Sequence, residues 1–382
     1  MKKCIVCGAK FFEKPLLEFD DMPRSAQNIP NESELNQDTG MTLRLYQCRG
    51  CGLVQFDCDP VNYYKDVIRS GGFTTTMVNL RKSQYSHLIE KYHLEKRKFL
   101  EVGCGQGEFL SILKEFPVEA YGIENKQELV DKAVSQGLNV FQGFVGDDKA
   151  VVQNGPYDVF LSFNFFEHQP DPNGMLQGIY NNLTDDGMGL ITVPSLEYIL
   201  EHNGYYELIH DHLVYYTFDT LRFVLEKNGF EVLEEEMINR DTLSMIVRKK
   251  AKINVLKIQD SYGQICKQVN DYVDGKRKEG KKVAFWGASH QGFTLAATAK
   301  LGGKIEYIID SAPFKQGRFA PASHIPIISP EKAVSQMVDA IIIAAPGYTD
   351  EIAGIIQEKY GNEVEIAVMK TKELELYEDI KK

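Results

Sequence analysis

Two cysteine pairs, Cys4-Ile-Val-Cys7 and Cys48-Arg-Gly-Cys51, have the two-residue spacing that lets both thiolates of a tight turn face one ion. Together they complete a tetrahedral shell of four sulfurs, and the expected metal is a structural zinc, because four closed ligands leave no open position for catalysis. Gly8 and Gly52 follow the pairs and suit turns whose amides also point at sulfur. Cys58, Cys104 and Cys266 remain as single thiols. Two disulfides would need an oxidising compartment, and the opening MKKCIVCGAK contains no apolar run of the signal-peptide kind.

The second constellation is Glu101-Val-Gly-Cys-Gly-Gln-Gly107. Gly103, Gly105 and Gly107 between a strand and a helix let backbone approach a ligand closely, with Glu101 at the strand end. The spacing is Gly-x-Gly-x-Gly and not Gly-x-Gly-x-x-Gly, which disfavours a nicotinamide cofactor. Downstream, Tyr121-Gly-Ile-Glu-Asn125 puts Glu124 at the end of the next strand, where a carboxylate accepts both hydroxyls of a ribose. Strand, glycine turn and acid in this order predict a nucleoside-bearing ligand.

These residues need elements to position them. At 382 residues the chain exceeds one ordinary core, so two or three domains are expected. Hydrophobic content is 43% with no run near the ~20 apolar residues of a membrane span. A net charge of −11 with no concentrated basic face argues against nucleic-acid binding. A cytoplasmic protein, a monomer or weak homodimer, is the expectation.

Residues 1–66 hold the cysteines and short apolar runs, Leu43–Tyr46 and Leu53–Phe56, and are predicted to form a metal-binding module. Helical spacing marks 77–94, through Leu80, Tyr85, Leu88, Ile89 and Tyr92. Strands are predicted at Phe99–Val102, Val118–Ile123, Tyr157–Ser162 and Gly189–Val193, with a helix at Phe109–Phe116; this alternation is that of a parallel, doubly wound sheet over 67–250. A helix over about 252–279 precedes a second alternation at Lys281–Trp286, Ile305–Ile309 and Ala340–Ala344, giving a smaller α/β domain over 251–382. It has its own glycine turn, Gly287-Ala-Ser-His-Gln-Gly292, with Lys315 and Arg318 as a basic pair and Trp286 as either core or stacking platform.

Glu101-Val-Gly-Cys-Gly-Gln-Gly107 with Glu124, Tyr157–Phe160 and Asn164-Phe-Phe-Glu-His168 resembles a class I S-adenosylmethionine-dependent methyltransferase. The cysteine module in front, and Gly287–Thr294, Ile309–Arg318 and His324–Pro330 behind, are similar to the three-domain methyltransferases that alkylate carbon 3 of nucleotide-linked 4-keto-deoxysugars. The fold this implies is α/β: a Rossmann-like methyltransferase core with an N-terminal zinc-binding module and a C-terminal Rossmann-like substrate-binding domain.

The resemblance implies S-adenosylmethionine at Glu101, Gly103, Gly105, Gly107, Glu124 and Asn164, and a nucleotide-diphosphate sugar as substrate. Catalytic imidazoles are implied at His168 and in Tyr205–Tyr216, which resembles the family's Tyr-His-Glu-His-Leu run. His212 is then the general base, with Asp211 and His210 beside it. An imidazole suits removal of a proton next to a ketone, and the enolate needs hydrogen-bond donors. The chain has Asp211 for the usual Glu, Ile209 for tyrosine, and Val67, Ile68 and Arg69 where aromatic residues are common. His212 could equally deprotonate an alcohol, so methylation of oxygen or nitrogen stays open.

Overall fold

In the computed structural model, which describes residues 3–66 and 74–380, the chain divides into two units, Met1–Lys252 and Ile253–Lys382. Val67, Ile68 and Arg69 lie outside the described residues. The first unit runs β1 (Leu17–Met22), β2 (Met41–Gln47), β3 (Val54–Phe56), α1 (Thr75–Tyr92), β4 (Lys98–Val102), α2 (Glu108–Leu113), β5 (Glu119–Glu124), α3 (Gln127–Ser135) and β6 (Asn139–Gln142). It continues with β7 (Tyr157–Phe163), α4 (Pro172–Asn181), β8 (Leu183–Pro194), α5 (Leu196–His202), β9 (Val214–Tyr215), α6 (Phe218–Lys227), β10 (Phe230–Ile238) and β11 (Thr242–Lys249).

Its main sheet has the order β10-β11-β8-β7-β4-β5-β6, parallel from β8 to β6 and antiparallel through β11 and β10. This is the class I methyltransferase, Rossmann-like core. Its middle strands bury consecutive apolar residues because helices cover both faces: Phe99, Leu100, Val159, Phe160 and Leu161 are all buried. Local chemistry sets the helix ends. Thr74 caps α1 through Met77 N–H, His93 closes it with φ 55°, and α2 stops at Leu113, short of the expected Phe116, ahead of Pro117.

β1, β2 and β3 form a small antiparallel sheet beside the cysteine turns. Its fourth strand, β9, arrives from the far side of the core sequence: Val54 pairs with Tyr215 and Gln55 with Val214. The N-terminal sheet therefore shares its unit with the core, and Cys4, Val6, Phe11 and Cys48 pack into the same apolar cluster as Phe165, Phe166 and Tyr216.

The second unit runs α7 (Leu256–Lys278), β12 (Val283–Trp286), α8 (His290–Thr298), β13 (Ile308–Ile309), β14 (Ile327–Ile328), α9 (Pro330–Val334), β15 (Ala340–Ile343), α10 (Thr349–Tyr360), β16 (Glu365–Met369) and β17 (Leu374–Leu376). Its sheet order, β14-β13-β12-β15-β16-β17, is parallel except for the last pair, a Rossmann-like arrangement. The strand expected at Ile305–Ile309 shrinks to Ile308–Ile309, because Ile305 N–H bonds back to Leu301 and closes the turn after α8. Trp286 is core: it is buried and meets Tyr360 edge-on.

Candidate functional site

The four cysteines converge. Gly8 N–H bonds to the Cys4 carbonyl at 2.9 Å and Gly52 N–H to that of Cys48 at 3.1 Å, and both glycines take positive φ, 73° and 79°. Cys4 Sγ lies 3.6 Å from Cys51 Sγ and Cys7 Sγ 3.3 Å from Cys48 Sγ. Tetrahedral zinc with Zn–S of ~2.3 Å implies S···S of ~3.8 Å, so the cage needs only slight opening. Amides of Cys7, Gly50 and Cys51 already point at sulfur, at 3.5, 3.3 and 3.5 Å. The facing S–H of Cys51 draws Cys4 down to about 5, and that thiolate pushes Cys51 up. Four adjacent thiolates repel one another unless a cation sits among them, so the donor set fits a soft divalent ion.

Glu101, Gly103, Gly105, Gly107 and Glu124 gather at the C-terminal edges of β4 and β5. The turn is bent by three left-handed residues, Gly103 (φ 70°), Gly105 (60°) and Gly107 (87°). A Cβ on Gly107 would also sit 2.3 Å from Leu138 Cδ1. Glu124 is buried, and its two carboxylate oxygens accept from Gly105 N–H and Lys126 N–H, each at 3.0 Å. A carboxylate offers up to four lone-pair sites, so an acid in this position can accept from ribose hydroxyls as well as from amides.

A cavity of 290 Å³ follows the C-terminal end of β7, with Asn164, Glu167, His168, Asp211 and His212 on its wall. The His168 ring donates from Nδ1 to the Asp211 carbonyl at 2.6 Å, which leaves Nε2 as the lone-pair nitrogen of the neutral ring. His168 and His212 meet edge to face with centroids 4.8 Å apart. Burial lowers His168, and burial together with the His168 ring pushes His212 down to about 3, so both stand neutral at physiological pH. Glu167 reaches His168 Nε2 at 3.9 Å. Its Oε2 meets no hydrogen-bond partner among the described residues, and burial pushes this carboxyl up to about 8. Glu167 is thus predominantly protonated near neutrality. Asn164, in left-handed backbone (φ 47°), accepts from Thr192 Oγ1 at 3.0 Å. A larger cavity, 540 Å³, opens in the second unit between α7 and α8. Its wall is mostly apolar, whereas the smaller one gathers the titratable groups.

Asp211 faces the N-terminal module. Tyr63 Oη donates to it at 2.6 Å and Ala26 N–H at 3.2 Å. His210 turns the other way, with Nδ1 at 2.6 Å from the Arg24 carbonyl and Nε2 at 2.9 Å from that of Asp59. Sequence reasoning found His168, Asp211 and His212 but missed two members of the cluster. Tyr63 and Tyr64 bring phenols to the cavity wall, and only the fold carries residue 63 to residue 211. Glu167 was visible as His168's neighbour, but its burial was not.

In the second unit the Gly287–Gly292 turn opens α8, and Lys315 is already engaged, 3.1 Å from Asp310.

Residues 77–235 match the family model of a methyltransferase domain, and 249–368 that of a C-methyltransferase C-terminal domain. The chain is similar to C-methyltransferase NovU of Streptomyces niveus, at 24% identity over 386 residues, covering 92% of this chain and 91% of that protein. Among solved structures, magnesium protoporphyrin IX methyltransferase (ChlM) from Synechocystis, with bound SAH, matches 49% of this chain and 91% of its own at 14% identity and a TM-score of 0.38. An S-adenosylmethionine-dependent methyltransferase from Clostridium acetobutylicum matches 45% and 92%, at 13% identity and a TM-score of 0.37. With a methyltransferase domain over residues 77–235 and a C-methyltransferase C-terminal domain over 249–368, the chain is an S-adenosylmethionine-dependent methyltransferase.

Proposed function

We propose that the protein methylates carbon next to the keto group of a nucleotide-linked deoxysugar, with His212 as general base, and that its four-cysteine cluster holds one structural zinc. The carrying observation is the pair of neutral imidazoles, His168 and His212, in the cavity beyond β7. The sugar-nucleotide acceptor rests on the sequence resemblance.

The Gly103–Gly107 turn would hold S-adenosylmethionine, with Glu124 on its ribose, and the bound cofactor would supply an electrophilic methyl group. The chain's own residues manage the proton. His212, neutral, takes a proton from the carbon beside the ketone; the electron pair left behind delocalises onto the keto oxygen. Burial makes the imidazolium costly, and the developing negative charge beside it offsets that cost. His168, its Nδ1–H fixed on the Asp211 carbonyl, presents Nε2 toward the same space. Protonated Glu167 is the nearby donor for oxygen charge, and the Tyr63 hydroxyl, its hydrogen committed to Asp211, lines the same wall.

With a nucleotide-linked 4-keto-deoxysugar as acceptor, His212→Ala should reduce turnover by ~10²–10⁴ and leave methyl-donor affinity nearly unchanged. Wild-type enzyme in heavy water without methyl donor should exchange the acidic hydrogen of the sugar. Full activity of His212→Ala would place the base elsewhere; methylation without exchange would move the acceptor atom to oxygen or nitrogen. Elemental analysis of freshly purified, reduced protein should find about one zinc per chain, and finding none would remove the metal from the proposal.

A further inference from the structure

His210 stands between two carbonyl oxygens, those of Arg24 at 2.6 Å from Nδ1 and Asp59 at 2.9 Å from Nε2. Carbonyls only accept, and a neutral imidazole carries one N–H. Both bonds exist together only when the ring carries two hydrogens and a positive charge. The two carbonyls lie on different loops of the N-terminal module, one following β1 and one following β3. Those loops also contribute Ala26, Gln27, Val61 and Tyr63 to the wall of the acceptor cavity. The neighbouring Asp211 grips them as well, through Tyr63 Oη and Ala26 N–H, while Tyr63 Oη lies 2.9 Å from Ser25 Oγ and accepts from Ala26 N–H at 3.0 Å.

We infer that His210 is a positioning residue, a cationic pin that fastens the 24–28 and 57–63 loops over the acceptor cavity, so that the ring ties both loops together only while it is doubly protonated. The inference rests on reading that cavity as the acceptor site. Among the described residues, the titratable side chains tied to the same two loops are Asp211 and Tyr63, bonded to each other at 2.6 Å. The Arg24 guanidinium itself is turned to the carbonyls of Thr39 and Gly40. Deprotonating His210 sets a ring lone pair against one carbonyl and releases one loop, whereas the Asp211 contacts persist.

Two measurements on the full chain, both without acceptor, test this. In protein carrying ¹⁵N-histidine, with the His210 signals assigned by their loss in His210→Gln, the wild-type ring should show two protonated nitrogens at neutral pH. In hydrogen–deuterium exchange, His210→Gln, which is neutral, should make amides of 22–28 and 57–66 exchange about tenfold faster or more, the loss of one charge-assisted bond, with the Gly103–Gly107 turn unchanged. A neutral ring in the wild type, or unchanged protection in the variant, overturns the pin. Because neither readout involves turnover, failure here leaves His212 as the base untouched, and an active His212→Ala enzyme leaves the pin untouched.

Discussion

The two glycine turns of this chain share a plan and differ in how sharply glycine bends them. In the first unit Gly105 N–H is bonded to Glu124 at the end of the next strand, and in the second Ala288 N–H is bonded to Asp310 at the corresponding place, at 3.0 and 2.9 Å. Three left-handed glycines contort the first turn, but only Gly287 (φ 114°) bends the second. Glu124 accepts from the backbone amides of Gly105 and Lys126, and Asp310 accepts from those of Ala288 and Ala312 and from the Lys315 ammonium. A strand, a glycine turn and an acid are thus a scaffold common to both units, and the bending of the turn by glycine is where the two part.

Glycine substitutions should separate the turns most sharply. Gly107→Ala forces a left-handed alanine against Leu138, and about 3 kcal/mol of strain and overpacking should fall on the first unit and on methyl-donor binding together. Gly292→Ala, whose Cβ would lie 2.1 Å from the Gly287 carbonyl oxygen, should destabilise the second unit and leave methyl-donor affinity intact. Calorimetric titration with S-adenosylmethionine reads both. Equal losses of affinity would mean that the two turns serve one ligand.

Removing the acids should give a smaller contrast. Glu124→Ala should weaken S-adenosylmethionine by ~1.5–3 kcal/mol, the worth of hydrogen bonds to a charged group, with Asp310→Ala close to wild type. If Asp310→Ala weakens it as much, the two carboxylates serve one ligand.

A third acid, Glu167, extends the contrast, because burial raises it from 4.5 to about 8. The folded state then holds a proton that the unfolded chain has lost, so this contribution to stability is full below pH 4.5 and fades as pH rises through 8. The lowered histidines, His168 and His212, act in the opposite sense and only below 6.5. Between pH 6.5 and 8 the wild type should therefore lose ~1–2 kcal/mol that Glu167→Gln keeps. Urea unfolding at the two pH values measures this; parallel losses in both proteins would mean that Glu167 is ionised in the fold.

What the sequence displays is local. Cys4 and Cys7, Gly103 to Gly107, and the Glu124 that ends the next strand are marked by short spacings that a reader can count. The hairpin of β10 and β11 was less visible, because its turn uses Asn239 and Arg240 at φ 49° and 71°, and an arginine there gives no turn signal. The cavity wall was hidden for a different reason. Tyr63 meets Asp211 across 148 positions and His210 meets Arg24 across 186, and no periodicity encodes pairings that depend on how two sheets are joined.

That joint bears on the order in which the protein is made. β3 waits for β9, so the segment ending at Phe56 leaves the ribosome with an unfilled sheet edge until roughly 160 more residues have followed, on the order of 10 s at ~5–20 residues per second. During synthesis Val54–Phe56 is a strand edge open to other chains. The same pairing places the segment that follows His212 as the last piece of the N-terminal sheet, so a nascent chain cannot finish that sheet before its candidate base has been translated.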